Sequence, residues 1–167
     1  MTFQELFRLS MKRELPELLV GPKGPVLNIG SSEDDTWVIP GAIPLGLPDW
    51  CFPFPHNKIP MPDNSVSAIH CYHFMEHLYG KQAIAFLREV ERVLQPGGTF
   101  NFCVPYYSSH LQAQCLDHKS FWNEETFENL FSNRGYNIAG DWQLKVHFQI
   151  IAAIVHRNLA LIGQLTK

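Results

Sequence analysis

Apolar positions recur with helical spacing most clearly over Lys81–Leu94. Ala83, Phe86, Leu87, Val90 and Leu94 fall on one face, while Lys81, Arg88, Glu89, Glu91 and Arg92 supply the wet side. Pro96-Gly97-Gly98 is expected to stop this helix, with a strand following over Thr99–Val104. Unbroken apolar runs between turn residues predict two more strands, Val26–Ile29 and Val66–Tyr72. Gly41–Leu45 is a weaker strand, because Pro44 cannot donate to a central ladder.

The remaining chain reads less sharply. Thr2 and Glu5 have capping-box spacing ahead of Phe3, Leu6, Phe7 and Met11, and Pro16 opens a second short helix with Leu18 and Leu19. Gly21–Pro25 breaks the chain, and Pro48, Pro53, Pro55, Pro60 and Pro62 make the stretch after Pro44 irregular. Asn123 caps a short helix carrying Phe127, Leu130 and Phe131, Asn133–Asn137 is turn-like, and Trp142–Val155 suggests two late strands. The expected organisation is one domain over 1–167: an N-terminal helical segment 1–24, a core sheet 25–156 and a C-terminal tail 157–167. In that tail Leu159, Leu161, Ile162 and Leu165 would cap the sheet or mediate self-association into a homo-oligomer.

Strands alternating with a helix argue for an α/β fold with a mainly parallel sheet. Such sheets bind ligands in the crevice beyond the carboxyl ends of their strands. Here those ends are Gly30-Ser31-Ser32, Tyr72-His73 and Pro105-Tyr106.

Composition narrows the function. The 167 residues are 46% hydrophobic and 17% charged, which suits one globular domain and excludes disorder. A net charge of −3 leaves no basic excess for phosphates, so nucleic acid is not favoured as a partner. Phe148–Val155 is far too short to span a membrane, which needs roughly 20 apolar residues. The N-terminus lacks a secretory signal pattern, and Cys51, Cys71, Cys103 and Cys115 have no Cys-x-x-Cys spacing. Reduced thiols in a cytoplasmic protein are expected.

Three groups of residues can carry chemistry. Gly30 lets the backbone turn sharply at the first strand end, beside the hydroxyls of Ser31 and Ser32 and the acids Glu33, Asp34 and Asp35. His73-Phe74-Met75-Glu76-His77 spells H-x-x-E-H, a zinc-peptidase pattern in which the histidines share a metal and Glu76 serves as base. Its position directly after a parallel strand is wrong for that role, so a zinc hydrolase is the least favoured reading and no metal is expected. Asp117-His118 follows Tyr106, Tyr107 and His110 in a loop, where the aspartate can orient the imidazole as a base. The same loop reads equally as polar capping with Phe121 and Trp122 anchored in the core. His147 and His156 are expected to be structural, and His56 is uninformative. Trp50, Phe52, Phe54, Tyr106 and Tyr107 suggest either a partly apolar rim or loops pinned by hydrophobic anchors.

Val26–Gly30, Pro62–Ile69, His73–Leu78 and Leu87–Gly98 occur in that order. This series resembles the class I, Rossmann-like S-adenosylmethionine-dependent methyltransferases, especially small type-11-like members and short bacterial and phage proteins with a compact link between the first two strands. The resemblance spans roughly residues 25–156. It implies a Rossmann-like sheet with an antiparallel last strand and a reduced early helical layer, and S-adenosylmethionine as cofactor. On this likeness the cofactor falls to Asn28, Gly30, Ser31, Ser32, Gly46, Leu47, Tyr72 and His73. His77, Asp117 and His118 are the catalytic residues the likeness implies, and Tyr106, Tyr107, Asp117 and His118 would face the methyl acceptor, a small molecule or protein. The chain departs from the family pattern at two points. Gly30-Ser31-Ser32-Glu33 stands where a Gly-x-Gly is usual, and Gly46 stands where an acid usually binds the ribose, with Asp49 three residues on. The departures support an alternative, a catalytically inactive binding or assembly module on the same fold.

Overall fold

A computed structural model describes residues 23–30, 39–46, 50–53, 57–131, 149–153 and 158–167. The expected helices before residue 22, the turn at 133–137, residues 142–148, Phe54, and the histidines at 56, 147 and 156 lie outside the described residues. The elements are β1 (Val26–Ile29), β2 (Ile43–Leu45), β3 (Val66–Tyr72), a 3₁₀ turn (Met75–His77), α1 (Gly80–Val93), β4 (Leu94–Pro105), α2 (His110–Ala113), α3 (Glu124–Phe131), β5 (Gln149–Ala153) and β6 (Asn158–Thr166).

They form one sheet ordered β2-β1-β3-β4-β6-β5. The first four strands run parallel, and β6 runs antiparallel to both neighbours. Residues 30–42 join β1 to β2, about the shortest link a parallel crossover permits, near a dozen residues. Pro44 is tolerated because β2 is the edge, paired with β1 alone among the described residues.

Two expectations need correction. The segment 157–167 is not a tail: it is β6, inside the sheet between β4 and β5. Its apolar Leu161 and Leu165 are buried in the core, and glycine at 163 faces Phe102, whose ring would overlap any added methyl. Pro96-Gly97-Gly98 does not end the helix either. Leu94 already turns to φ −64°, ψ 134°, and β4 begins there, bulging so that Val66 pairs with Leu94 and Ala68 with Thr99. Lys167 fastens this corner, its Nζ donating to Asn64 Oδ1, Glu91 O and Leu94 O.

The two faces of the sheet differ. Leu27, Ile29, Ile69, Cys71, Phe100, Phe102 and Val104 build the apolar core with Phe86, Leu87 and Val90 of α1. Phe127 of α3 stacks on Phe102 at 4.3 Å, and Asn123 Oδ1 caps that helix by accepting from Thr126 N–H at 2.8 Å, as the sequence predicts. The irregular stretch is held to α1 by Arg92, which donates to Glu89, Asp63 and the carbonyls of Ile59 and Met61.

The opposite face carries a polar row in register, Asn28–His70–Asn101–Gln164, every member buried. Gln164 Nε2 donates to Asn101 Oδ1 at 2.7 Å, and His70 Nδ1 meets the Tyr72 hydroxyl at 2.8 Å. Burial drives the His70 pKa down from 6.5 to about 4. Unfolded, His70 takes up a proton near pH 6.5, whereas the folded chain refuses it until about pH 4. Stability therefore falls as pH drops through that window, His70 contributing about 3 kcal/mol of the loss. Urea unfolding at pH 7 and pH 4.5 should show a shallower decline for His70→Gln than for the parent; equal declines would contradict the neutral, buried His70.

Candidate functional site

The chain leaves β1 toward β2 on one side, and β3 lies on its other side, so the crevice opens where the strand order reverses. Gly30 forms its floor. It has φ +85°, which favours glycine, and its N–H donates to Leu45 O at 2.8 Å. A side chain here would also strike Phe74, whose Cβ lies 2.8 Å from the position a Cβ would take. Phe74 in turn stacks on Trp50 at 6.1 Å and leans on Phe86 at 5.2 Å. Trp50 N–H donates to Gly46 O, and its indole N–H to Lys58 O. Trp50 and Phe52 are buried, so these aromatics anchor the loop and do not form an open rim.

The β3 end brings in Tyr72 and His73 differently from each other. The Tyr72 phenol meets the His70 ring on the same strand, and burial raises its pKa. His73 sits at φ +53°, its N–H donating to Cys103 O at 2.9 Å. Its Nδ1 lies 3.1 Å from Glu76 Oε1 and its Nε2 3.7 Å from Cys103 Sγ. Burial opposes charge on the ring, but Cys103 and Glu76 outweigh it and raise the pKa to about 10. Both ring nitrogens of His73 are thus engaged by neighbouring side chains.

The zinc-hydrolase reading of His73, Glu76 and His77 is corrected by this geometry. Met75–His77 is a single 3₁₀ turn and His73 lies outside it in a left-handed conformation, so the two histidines do not share a helical face. Glu76 is fully buried and bonded to His73. Its Oε2 has no hydrogen-bond partner among the described residues.

The loop after β4 docks on this turn. Glu76 O accepts from Lys119 N–H at 2.7 Å and Ser120 N–H at 3.2 Å, while Ser120 Oγ donates to Met75 O at 3.1 Å. Trp122 is buried, yet Phe121, expected as a second anchor, is 65% exposed, joining Tyr79, Tyr107 and Leu116 on the surface. Tyr106 Oη donates to Glu124 at 3.1 Å.

The docking sets the His77 and His118 rings 4.9 Å apart. Asp117 does not orient His118: it is exposed, and His118 Nδ1 instead lies 3.0 Å from Gln112 O. Cys115, which sequence reasoning missed, joins the two histidines. Its only signal was the Cys115-x-x-His118 spacing.

Of the residues expected to hold a cofactor, Gly30, Gly46 and the Tyr72–His73 main chain meet at the crevice. Asn28 does not: its side chain is buried in the polar row. Ser31, Ser32 and Leu47 lie outside the described residues. The left-handed turn at Gly30 and the position of the crevice fit S-adenosylmethionine; no carboxylate stands at Gly46 itself. Gly30→Ala should destabilise the fold by about 2–4 kcal/mol, through φ strain and the Phe74 overlap. Urea unfolding of the variant at neutral pH checks this, and an unshifted midpoint would contradict the close approach.

Residues 52–102 match the family model described as "Methyltransferase domain". No curated protein matches the sequence. Among solved structures, a SAM-dependent methyltransferase from Archaeoglobus fulgidus superposes with TM-score 0.62 at 16% identity, over 98% of this chain and 94% of that one. One from Thermotoga maritima gives 0.58 at 13%, over 99% and 96%, and one from Mesorhizobium loti 0.57 at 12%, over 95% and 98%. The parallel half, the antiparallel β6 and the matched segment agree, and the chain has the class I, Rossmann-like fold of the S-adenosylmethionine-dependent methyltransferases.

Proposed function

We propose that the protein is an S-adenosylmethionine-dependent methyltransferase acting on a small-molecule or protein acceptor. The observation that carries this reading is the left-handed Gly30 turn, packed on Phe74, in the crevice of a methyltransferase fold. Gly30 with Ser31 and Ser32 would hold the methionine end of the cofactor. Gly46 and Leu47 would hold the ribose, and the Tyr72–His73 main chain would line the cleft. When bound, the cofactor supplies a methyl group on a sulfonium sulfur.

The chain's own contribution is placement, since methyl transfer needs chiefly an aligned nucleophile. Buried Trp50, with half-buried Phe74 stacked on it, would keep water from beneath the crevice. His77 and His118, whose rings lie 4.9 Å apart, would face the acceptor, with Asp117 exposed in the same loop as His118. Exposed Tyr79, Tyr107 and Phe121 offer apolar contact to an acceptor. The net charge of −3 does not suit nucleic acid. Among the described residues no helix is long and apolar enough to cross a membrane, and we place the protein in the cytoplasm.

One observation favours a second reading, a non-catalytic module: glycine at 46 offers the ribose no charge-assisted bond, worth roughly 1.5–3 kcal/mol. Calorimetric titration with S-adenosylhomocysteine separates the two. Micromolar binding at one site is expected. No heat at millimolar ligand, with binding restored by Gly46→Asp, would overturn the enzyme and leave the module.

A further inference from the structure

We infer that His77, Cys115 and His118 form a binding site for a zinc-class divalent cation. Their ligand atoms all lie within 4.8 Å of one another, and all three residues are half-buried, so a cation could reach them from solvent. Bond lengths of about 2.3 Å to sulfur and 2.0 Å to nitrogen place tetrahedral ligand atoms roughly 3.3–3.6 Å apart. Coordination would draw the ligand atoms together by at most about 1.5 Å.

Three further features suit a metal. Cys115 and His118 are three residues apart in one tight turn, where His118 N–H approaches Cys115 O at 3.4 Å. The two-residue gap equals that between paired cysteine ligands in zinc fingers, with histidine here in the second place. His77 comes from the distant 3₁₀ turn, so the cation would clip two segments together. Most telling is the His118 ring. Its Nδ1 lies 3.0 Å from Gln112 O, so Nδ1 carries the proton and donates, leaving Nε2 as the lone-pair donor. A backbone carbonyl holding the far nitrogen of a ligating histidine is the usual support of a metal site.

The donor set, one thiolate and two imidazoles, favours zinc over magnesium or calcium, which take oxygen ligands. Three protein ligands leave a fourth position for water or another exchangeable ligand. Binding releases the Cys115 thiol proton to solvent as the sulfur–metal bond forms. The site is distinct from the H-x-x-E-H arrangement, since His73 and Glu76 take no part. It rests on this cluster alone, so it can fail while the methyltransferase reading stands, and the reverse.

The test uses the full chain, stripped of metal under reducing conditions and titrated with zinc against a chromophoric chelator, then with cobalt. One zinc per chain is expected, with cobalt giving a sulfur-to-metal charge-transfer band. Cys115→Ser should abolish that band, and His118→Ala should weaken zinc binding by at least about 100-fold. Zinc should also raise the melting temperature of the parent but not of Cys115→Ser. Failure of the parent to hold stoichiometric zinc would overturn the proposal whatever the variants do. So would a charge-transfer band that survives Cys115→Ser.

Discussion

Two main-chain carbonyls, those of Met75 and Glu76, hold the crevice together. They belong to a single 3₁₀ turn in which Leu78 N–H donates to Met75 O, the turn leaves Glu76 O to other donors, and Glu76 is fully buried. From the loop after β4, the Lys119 and Ser120 N–H groups donate to Glu76 O, and the Ser120 hydroxyl adds a second donor to Met75 O. That one docking event decides what faces what. It swings His118 and Cys115 against His77, buries Trp122 and leaves Phe121 and Leu116 in solvent. The turn is itself fixed from behind, because Phe74 fits against a backbone with no side chain at Gly30. Gly30, Phe74, Glu76 and Ser120 therefore link the end of β1 to the loop after β4.

The sheet beneath is asymmetric. One face is ordinary core, in which rings of β4, α1 and α3 interlock. The other carries amides and an imidazole in a single row across β1, β3, β4 and β6. Thr99 Oγ1 and Asn101 Nδ2 in this region have no partner among the described residues. Burying polar groups this way costs stability unless every one is bonded, and it makes the strand register specific, because a slip by one residue would throw amides into the aromatic core.

What the sequence revealed was what local patterning encodes. β1 and β3 were legible as apolar runs between turn residues, α1 from its apolar period, and the Asn123 cap because it acts over three residues. The strand-end rule placed Gly30 and His73 at one crevice before any contact was known. β6 was missed because Gly163 and Gln164 interrupt its apolar run; both are explained only by partners on β4, Phe102 and Asn101. The orientation of His118 was misassigned because the adjacent aspartate is conspicuous in sequence, whereas the acceptor is a backbone carbonyl at Gln112, which no sequence shows. The H-x-x-E-H string misled for a related reason: its spacing means a shared face only on a helix, and here it spans a left-handed residue and one turn.

The most direct test of the crevice is a crystal structure of the protein with S-adenosylhomocysteine. Ligand density lying across the carboxyl ends of β1 and β2, its amino-acid end against the Gly30 main chain, is the result expected. Density elsewhere, or a crevice left empty at saturating ligand with Phe74 and Trp50 unmoved, would contradict it.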